Sequence, residues 1–218
     1  MYFLLNLSNE TFQEFELAVE VEDISASNGR QIDYSTIMIK VQDVNDNSPQ
    51  FKQKTYKASV TENTLSGTNI INIIAIDTDA NRSIYYKLEG KREIIKLVKI
   101  DKNSGQISVG GKIDREKLQW LNFTVRATDN GIPPQWSYAD VSIEVLDEND
   151  NSPVFMKHDS NISVSEDTPV GHIISKITAT DKDEGEYGRV TYFLDNHSGS
   201  SKFQIDPDTG TIVEQNKA

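Results

Sequence analysis

Apolar and polar residues alternate over short stretches along most of this chain, and a period of two marks a strand with one buried face. In Phe15-Glu16-Leu17-Ala18-Val19-Glu20-Val21-Glu22-Asp23 the odd positions from 15 to 21 are apolar and the even ones mostly acidic. After the turn residues Ser27-Asn28-Gly29-Arg30, the run Thr36 to Val41 predicts a second strand. Further runs follow at Tyr56 to Val60, Ile70 to Ile76, Ile84 to Leu88 and Ile94 to Ile100. A turn at Lys102-Asn103-Ser104-Gly105 leads to Ile107, and then come Leu121 to Ala127 and Val141 to Leu146. Seven short strands in about a hundred residues, separated by turn residues, predict an all-β sandwich. The one helix-like candidate, Asp114 to Gln119, is too short to change the class.

The set then begins again. Ile162-Ser163-Val164, Ile173 to Ala179, Val190 to Leu194 and Phe203-Gln204-Ile205 correspond to the first four of those strands, and Asp206-Pro207-Asp208-Thr209-Gly210 corresponds to the turn at 101–105. Between the sets lies a motif that occurs twice. Asp43-Val44-Asn45-Asp46-Asn47-Ser48-Pro49 recurs 104 positions later as Asp147-Glu148-Asn149-Asp150-Asn151-Ser152-Pro153, and Phe51 and Phe155 each follow the proline by two residues. A period of that size is a domain and not a solenoid repeat. The expected division is therefore a C-terminal part of one repeat over 1–47, a complete repeat over 48–151 and an N-terminal part of a third over 152–218.

The motif is rich in oxygen donors and has no sulfur. Such a segment suits a hard cation, and calcium takes six to eight oxygens from Asp, Asn and backbone carbonyls. Asp, Asn, Ser and Pro also form ordinary solvated turns. What weighs against that reading is recurrence together with acidic satellites. Thr61-Glu62-Asn63 is matched by Ser165-Glu166-Asp167, Asp77-Thr78-Asp79 by Asp181-Lys182-Asp183, and Ala127-Thr128-Asp129 by Val21-Glu22-Asp23, while Asp114-Arg115-Glu116 precedes the sixth strand. An EF-hand does not fit, because the motif lacks Gly at loop position 6 and Glu at position 12.

Composition narrows the function further. A net charge of -12 argues against a nucleic-acid partner. Cys is absent, which removes thiolate metal sites and disulfides. Sequons begin at Asn6, Asn9, Asn81, Asn122, Asn161 and Asn196 and point to a secreted context. Met1 to Leu7 is too short for a signal peptide, and no apolar run is long enough to span a membrane, so any such signals are expected outside this piece. The three His residues, 158, 172 and 197, have no partner pattern, and neither a Gly-x-Ser-x-Gly elbow nor a phosphate-binding loop is present. An enzyme is not expected.

Taken together, the Asp-x-Asn-Asp-Asn junctions, x-Glu-x, Asp-x-Asp, Asp-Arg-Glu and Ala-x-Asp resemble the extracellular repeats of cadherins, of a long non-classical type such as Fat-like or protocadherin-like, over essentially the whole chain. The resemblance implies tandem seven-stranded Greek-key β-sandwiches joined end to end by linkers that bind up to three calcium ions each. At the second junction it assigns one ion to Glu62, Asp114, Glu116 and Asp150. A second takes Glu62, Glu116, Asp147, the Glu148 carbonyl, Asp150 and Asp183, and a third takes Asn149, the Asn151 carbonyl, Asp181, Asp183 and the carbonyl near Tyr187. At the first junction it assigns Asn45, the Asn47 carbonyl, Asp77, Asp79, the carbonyl near Asn81 and Asp129 to one ion, and Glu10, Asp43, the Val44 carbonyl, Asp46 and Asp79 to the others. Ser8-Asn9-Glu10 stands where Asp-Arg-Glu is expected, which replaces one anionic ligand by a hydroxyl.

The function so implied is calcium-dependent cell-cell adhesion by internal ectodomain repeats, on the extracellular face of the plasma membrane. The partners would be other cadherin ectodomains, homophilic or heterophilic. The membrane would enter only through a transmembrane segment outside this piece. The alternative is a receptor or mechanical tether that presents a site to a non-cadherin ligand.

Overall fold

In the computed structural model the described residues are 14–23, 31–41, 44–79, 83–195 and 200–215. They form strands almost throughout. Strands β1 (Glu14–Asp23) and β2 (Gln31–Lys40) pair antiparallel from Glu14 opposite Lys40 to Asp23 opposite Gln31. The alternation at 15–21 is therefore that of a strand, although Leu17, Val19 and Val21 remain exposed.

The residues after the first junction motif build a sandwich. Its strands are β3 (Gln50–Phe51), β4 (Thr55–Thr61), β5 (Asn69–Asn72), β6 (Ala75–Ile76), β7 (Ile84–Glu89), β8 (Val98–Ile100), β9 (Gln106–Val109), β10 (Trp120–Asp129) and β11 (Trp136–Leu146). One sheet has the order β4-β11-β10-β7, the other β5-β9-β8, and β3 pairs with β6. Neighbours in these sheets are often not neighbours in sequence, as in a Greek key. The core follows the period of two: Leu121, Phe123, Val125 and Ala127 on β10, Ala139, Val141 and Ile143 on β11, and Ile107 and Val109 on β9 are all buried. Between them, Asn122 is exposed and its Oδ1 accepts the Ser142 hydroxyl at 2.7 Å.

Three expected elements of this sandwich differ. The continuous run 70–76 is two strands in two different pairings, because the chain breaks at Ile73, whose N–H goes to Gly105 O, and Ala75 then donates to the buried Tyr86 hydroxyl at 2.9 Å. The run 94–100 opens as a one-turn helix, α1 (Arg92–Ile95), with only 98–100 extended. A short apolar run does not separate a buried helical turn from a strand. The helix-like 114–119 is a pair of turns in which Lys117 and Leu118 donate to the Asp114 carbonyl.

The third set repeats the local geometry of the second. Strands β12 (Val154–Phe155) and β14 (Ala179–Thr180) pair as β3 and β6 do, and β13 (Ile173–Lys176), β16 (Thr211–Glu214) and β15 (Phe203–Ile205) form a sheet in that order, as β5, β9 and β8 do. Ala179 donates to the Tyr192 hydroxyl at 2.8 Å, and Ile177 N–H goes to Gly210 O. Residues 162–164 and 190–194 are not strands.

By packing, the chain divides into two compact units, one of Met1–Val60, Thr64–Lys112 and Trp120–Glu144, the other of Thr61–Asn63, Ile113–Gln119 and Val145–Ala218. Among the described residues no helix is long and apolar enough to cross a membrane.

Candidate metal centres

Each unit contains one of the two acidic motifs. In the first unit Asn47 donates from its backbone N–H to Asp79 Oδ2 at 3.1 Å and from its side-chain amide to Asp79 Oδ1 and Asp46 Oδ1. Asp79 N–H in turn donates to Asp77 Oδ1 at 2.9 Å, and Asp46 N–H closes a tight turn onto the Val44 carbonyl. In the second unit the same contacts recur 104 residues on. Asn151 holds Asp183 and Asp150, Asp183 N–H donates to Asp181 Oδ1 at 3.0 Å, and Asp150 N–H closes onto the Glu148 carbonyl. The motif thus carries its own fold: the Asn directly after its second Asp pins the Asp-x-Asp loop to the linker.

The first cluster is completed by Asp129 at the end of β10. Its carboxylate accepts the N–H groups of Gly131 and Gln135 at 3.0 Å and the Asn45 amide at 3.2 and 3.3 Å, while that amide also reaches Pro133 O at 2.7 Å. The Asn45 amide fills the space beside residue 131 so closely that a Cβ there would lie 1.9 Å from its Cγ, so any larger residue would have to displace the Asn45 side chain. Asp77, Asp79 and Asp129 are all buried, Asp79 to 0% exposure. Burial raises the Asp77 carboxyl above its ordinary value, and the charges of Asp79 and Asp129 act in the same direction. Two buried oxygens of this cluster, Asn45 Oδ1 and Asp77 Oδ2, have no hydrogen-bond partner.

The second cluster centres on Glu62, 1% exposed at the end of β4. Glu62 accepts the N–H of Arg115 at 2.8 Å and of Glu148 at 3.1 Å. Asn63, next to it, has φ of 55°, the left-handed region that Asn tolerates, and its amide reaches Asp150 Oδ2 at 2.6 Å. Glu62, Glu116 and Asp147 each offer a carboxylate oxygen within 4.8 Å of the others, a set that could hold a metal ion. Asp114 is ion-paired to Lys117 at 2.6 Å. Asn149 and Tyr187 stay exposed. Glu10, Asp43, Asn81 and Ser8 lie outside the described residues.

Sequence reasoning passed over Arg115, Asn63 and Gly131. Arg115 and Asn63 sit inside the Asp-Arg-Glu and Thr-Glu-Asn triplets, whose chemical signal in sequence is their carboxylates. Buried charge is strongly unbalanced: Glu62, Asp77, Asp79, Asp129, Asp183 and Glu214 are buried carboxylates, and Arg115 is the one buried cation among the described residues. Like charges about 4 Å apart repel by roughly 4 kcal/mol at an effective dielectric of about 20. Hard oxygen donors, an excess of negative charge and orphaned oxygens fit a divalent cation such as calcium.

The family model of the Cadherin domain matches residues 56–146 and 160–217. The Fat-like cadherin-related tumor suppressor homolog of Drosophila melanogaster is 35% identical over 209 residues, which is 95% of this chain and 4% of that protein. Cadherin-23 of Homo sapiens is 35% identical over 94% of this chain and 6% of its own length, and Protocadherin-7 of Homo sapiens 34% identical over 97% and 20%. The chain thus spans 20% or less of these relatives. Among solved structures, Mouse Cadherin-23 EC22-24 has a TM-score of 0.88 at 31% identity, covering 97% of this chain and 67% of that one. Human CDH23 EC21-23 has a TM-score of 0.81 at 35% identity, with the same coverage.

Proposed function

The chain belongs to the cadherin family, and from that premise we propose that its two acidic motifs are calcium-binding linkers between successive extracellular repeats, with borders near 47 and 151, in a protein of calcium-dependent cell-cell adhesion. The observation that carries this reading is the first cluster: three buried carboxylates, no contacting cation among the described residues and two buried oxygens without partners. Calcium, when bound, supplies the missing positive charge and additional bonds to these oxygens.

The chain's own residues would hold it in the sets that the family resemblance implies. At the second motif these are Glu62, Asp114, Glu116 and Asp150; then Glu62, Glu116, Asp147, Asp150 and Asp183 with the Glu148 carbonyl; then Asn149, Asp181 and Asp183 with the carbonyls of Asn151 and Tyr187. Asp114 would have to leave Lys117, whose side chain is 79% exposed, so that pair opposes the exchange little. At the first motif Asn45, Asp77, Asp79 and Asp129 would share one ion with the Asn47 carbonyl. The backbone turns at Val44 and Glu148 leave those carbonyls a second lone pair for a ligand bond.

The proposed partners are other cadherin ectodomains, and the proposed location is the extracellular face of the plasma membrane. Cells expressing the full-length protein should aggregate in calcium and disperse in chelator. Aggregation that ignores the chelator contradicts the proposal.

A further inference from the structure

We infer that Arg115 is a built-in counter-cation of the second cluster, which holds Asp147 and the turn at 182–184 in place when calcium is scarce and so limits how much of that linker's order depends on the metal. The inference rests on the calcium reading above. Arg115 is 6% exposed, and each nitrogen of its guanidinium has at least one oxygen partner. Its Nε donates to Asp147 Oδ1, one terminal nitrogen lies 3.1 Å from Glu184 Oε2, and the other lies 3.3 Å from Glu116 Oε1 and 3.2 Å from the Lys182 carbonyl. Its own backbone N–H binds Glu62. The second oxygen of Asp147 accepts the Glu184 N–H at 2.7 Å.

One side chain therefore ties the linker to the Asp-x-Asp loop, and its backbone ties both to Glu62. Arginine has donors only, so it cannot be a metal ligand; its planar fork can instead bind several carboxylates at fixed angles. A buried guanidinium is stable only with such partners, and Asp147 is stable beside Glu62 and Glu116 only with positive charge at hand. In sequence the other motif has no arginine at this place: in Ser8-Asn9-Glu10 the residue corresponding to Arg115 is Asn9.

The test is thermal melting and amide exchange of the chain, of Arg115→Gln and of Arg115→Lys, each in excess calcium and in chelator. Arg115→Gln should lower the melting temperature in chelator by about 5 °C or more, and by much less in calcium. The amides of Glu148 and Glu184 should lose protection in chelator only. Arg115→Lys, which keeps the charge, should recover about half of the chelator loss. Should Arg115→Gln fold only with calcium present, the inference is supported in its strongest form. Equal losses in the two conditions, no loss in either, or no recovery with lysine overturns it. If the unmodified chain melts alike in calcium and chelator, it is the calcium reading that fails, whatever Arg115 does.

Discussion

The two acidic motifs share a backbone design and differ in how they balance charge. In both, an Asn fixes the second Asp of an Asp-x-Asp loop, and that Asp fixes the first. Around this shared frame the first motif gathers Asp77, Asp79 and Asp129 with no contacting cation among the described residues, whereas the second folds Arg115 among Asp147, Glu116 and Glu184. Repetition of the sequence motif thus preserves the hydrogen-bonded frame without preserving its charge balance. Among the described residues the first cluster meets no cation, and the second contains Arg115.

The largest effect that would sharpen this contrast is expected from Glu62→Ala, which acts on the second cluster alone. It removes the acceptor of the buried Arg115 N–H and of the part-buried Glu148 N–H, so a loss of about 3 kcal/mol is expected in chelator and a larger one in calcium, where Glu62 is a proposed ligand. Chemical denaturation checks it; a loss below about 1 kcal/mol would mean that Glu62 is not the pivot of its cluster.

Asp77→Asn acts on the first cluster and should have opposite signs in the two conditions. The amide keeps the acceptor for Asp79 N–H but removes a charge that burial and two neighbouring carboxylates disfavour. In chelator the variant should be more stable by roughly 1 kcal/mol, and in calcium less stable than the parent. Melts that move the same way in both conditions would break the proposed contrast.

Much of this was legible in sequence, because burial on one face of β10 and β11 leaves a clean period of two and because the acidic motifs recur at domain spacing. Other features were not. The strands Gln50–Phe51 and Val154–Phe155 are two residues long, too short for a period to register. Ile94 and Ile95 suit a buried helical turn as well as they suit a strand. In the clusters, the acids were visible by type, but the role of Arg115 depends on three segments meeting in space. Trp136 opens β11 with the Arg126 guanidinium 4.9 Å from its ring centroid, a contact that no periodicity along the chain reveals.

Proton effects outside the clusters provide a control. Asp101 is held below its ordinary carboxylate value mainly by the Ser104 N–H, and Asp206 by Thr209 through its side chain and N–H. A depressed folded value gives stability that is present above the unfolded value near 3.8 and lost as pH falls through the folded one. Asp101→Asn should therefore be slightly less stable than the parent at neutral pH and equal to it in strong acid, with or without calcium. A calcium-dependent difference would show that this turn is coupled to the metal centres.

The smallest effect is expected from Ser8→Asp, tested in a protein that carries a complete repeat on each side of the first linker. An added anionic oxygen should tighten the weakest calcium step of the first linker by a few-fold in calorimetry, since affinity follows the number of charged ligands. An unchanged titration would remove this position from the account of how the linkers differ.

The central claim is that the buried carboxylates of both motifs are calcium ligands, and melting in calcium against melting in chelator tests it most directly. Binding to the folded state alone at a hundredfold excess over Kd stabilises by about 2.7 kcal/mol per independent site, which for a chain of this size raises the melting temperature by roughly 5 to 10 °C. A rise of that size or larger is predicted. Identical melting temperatures in the two solutions would contradict it.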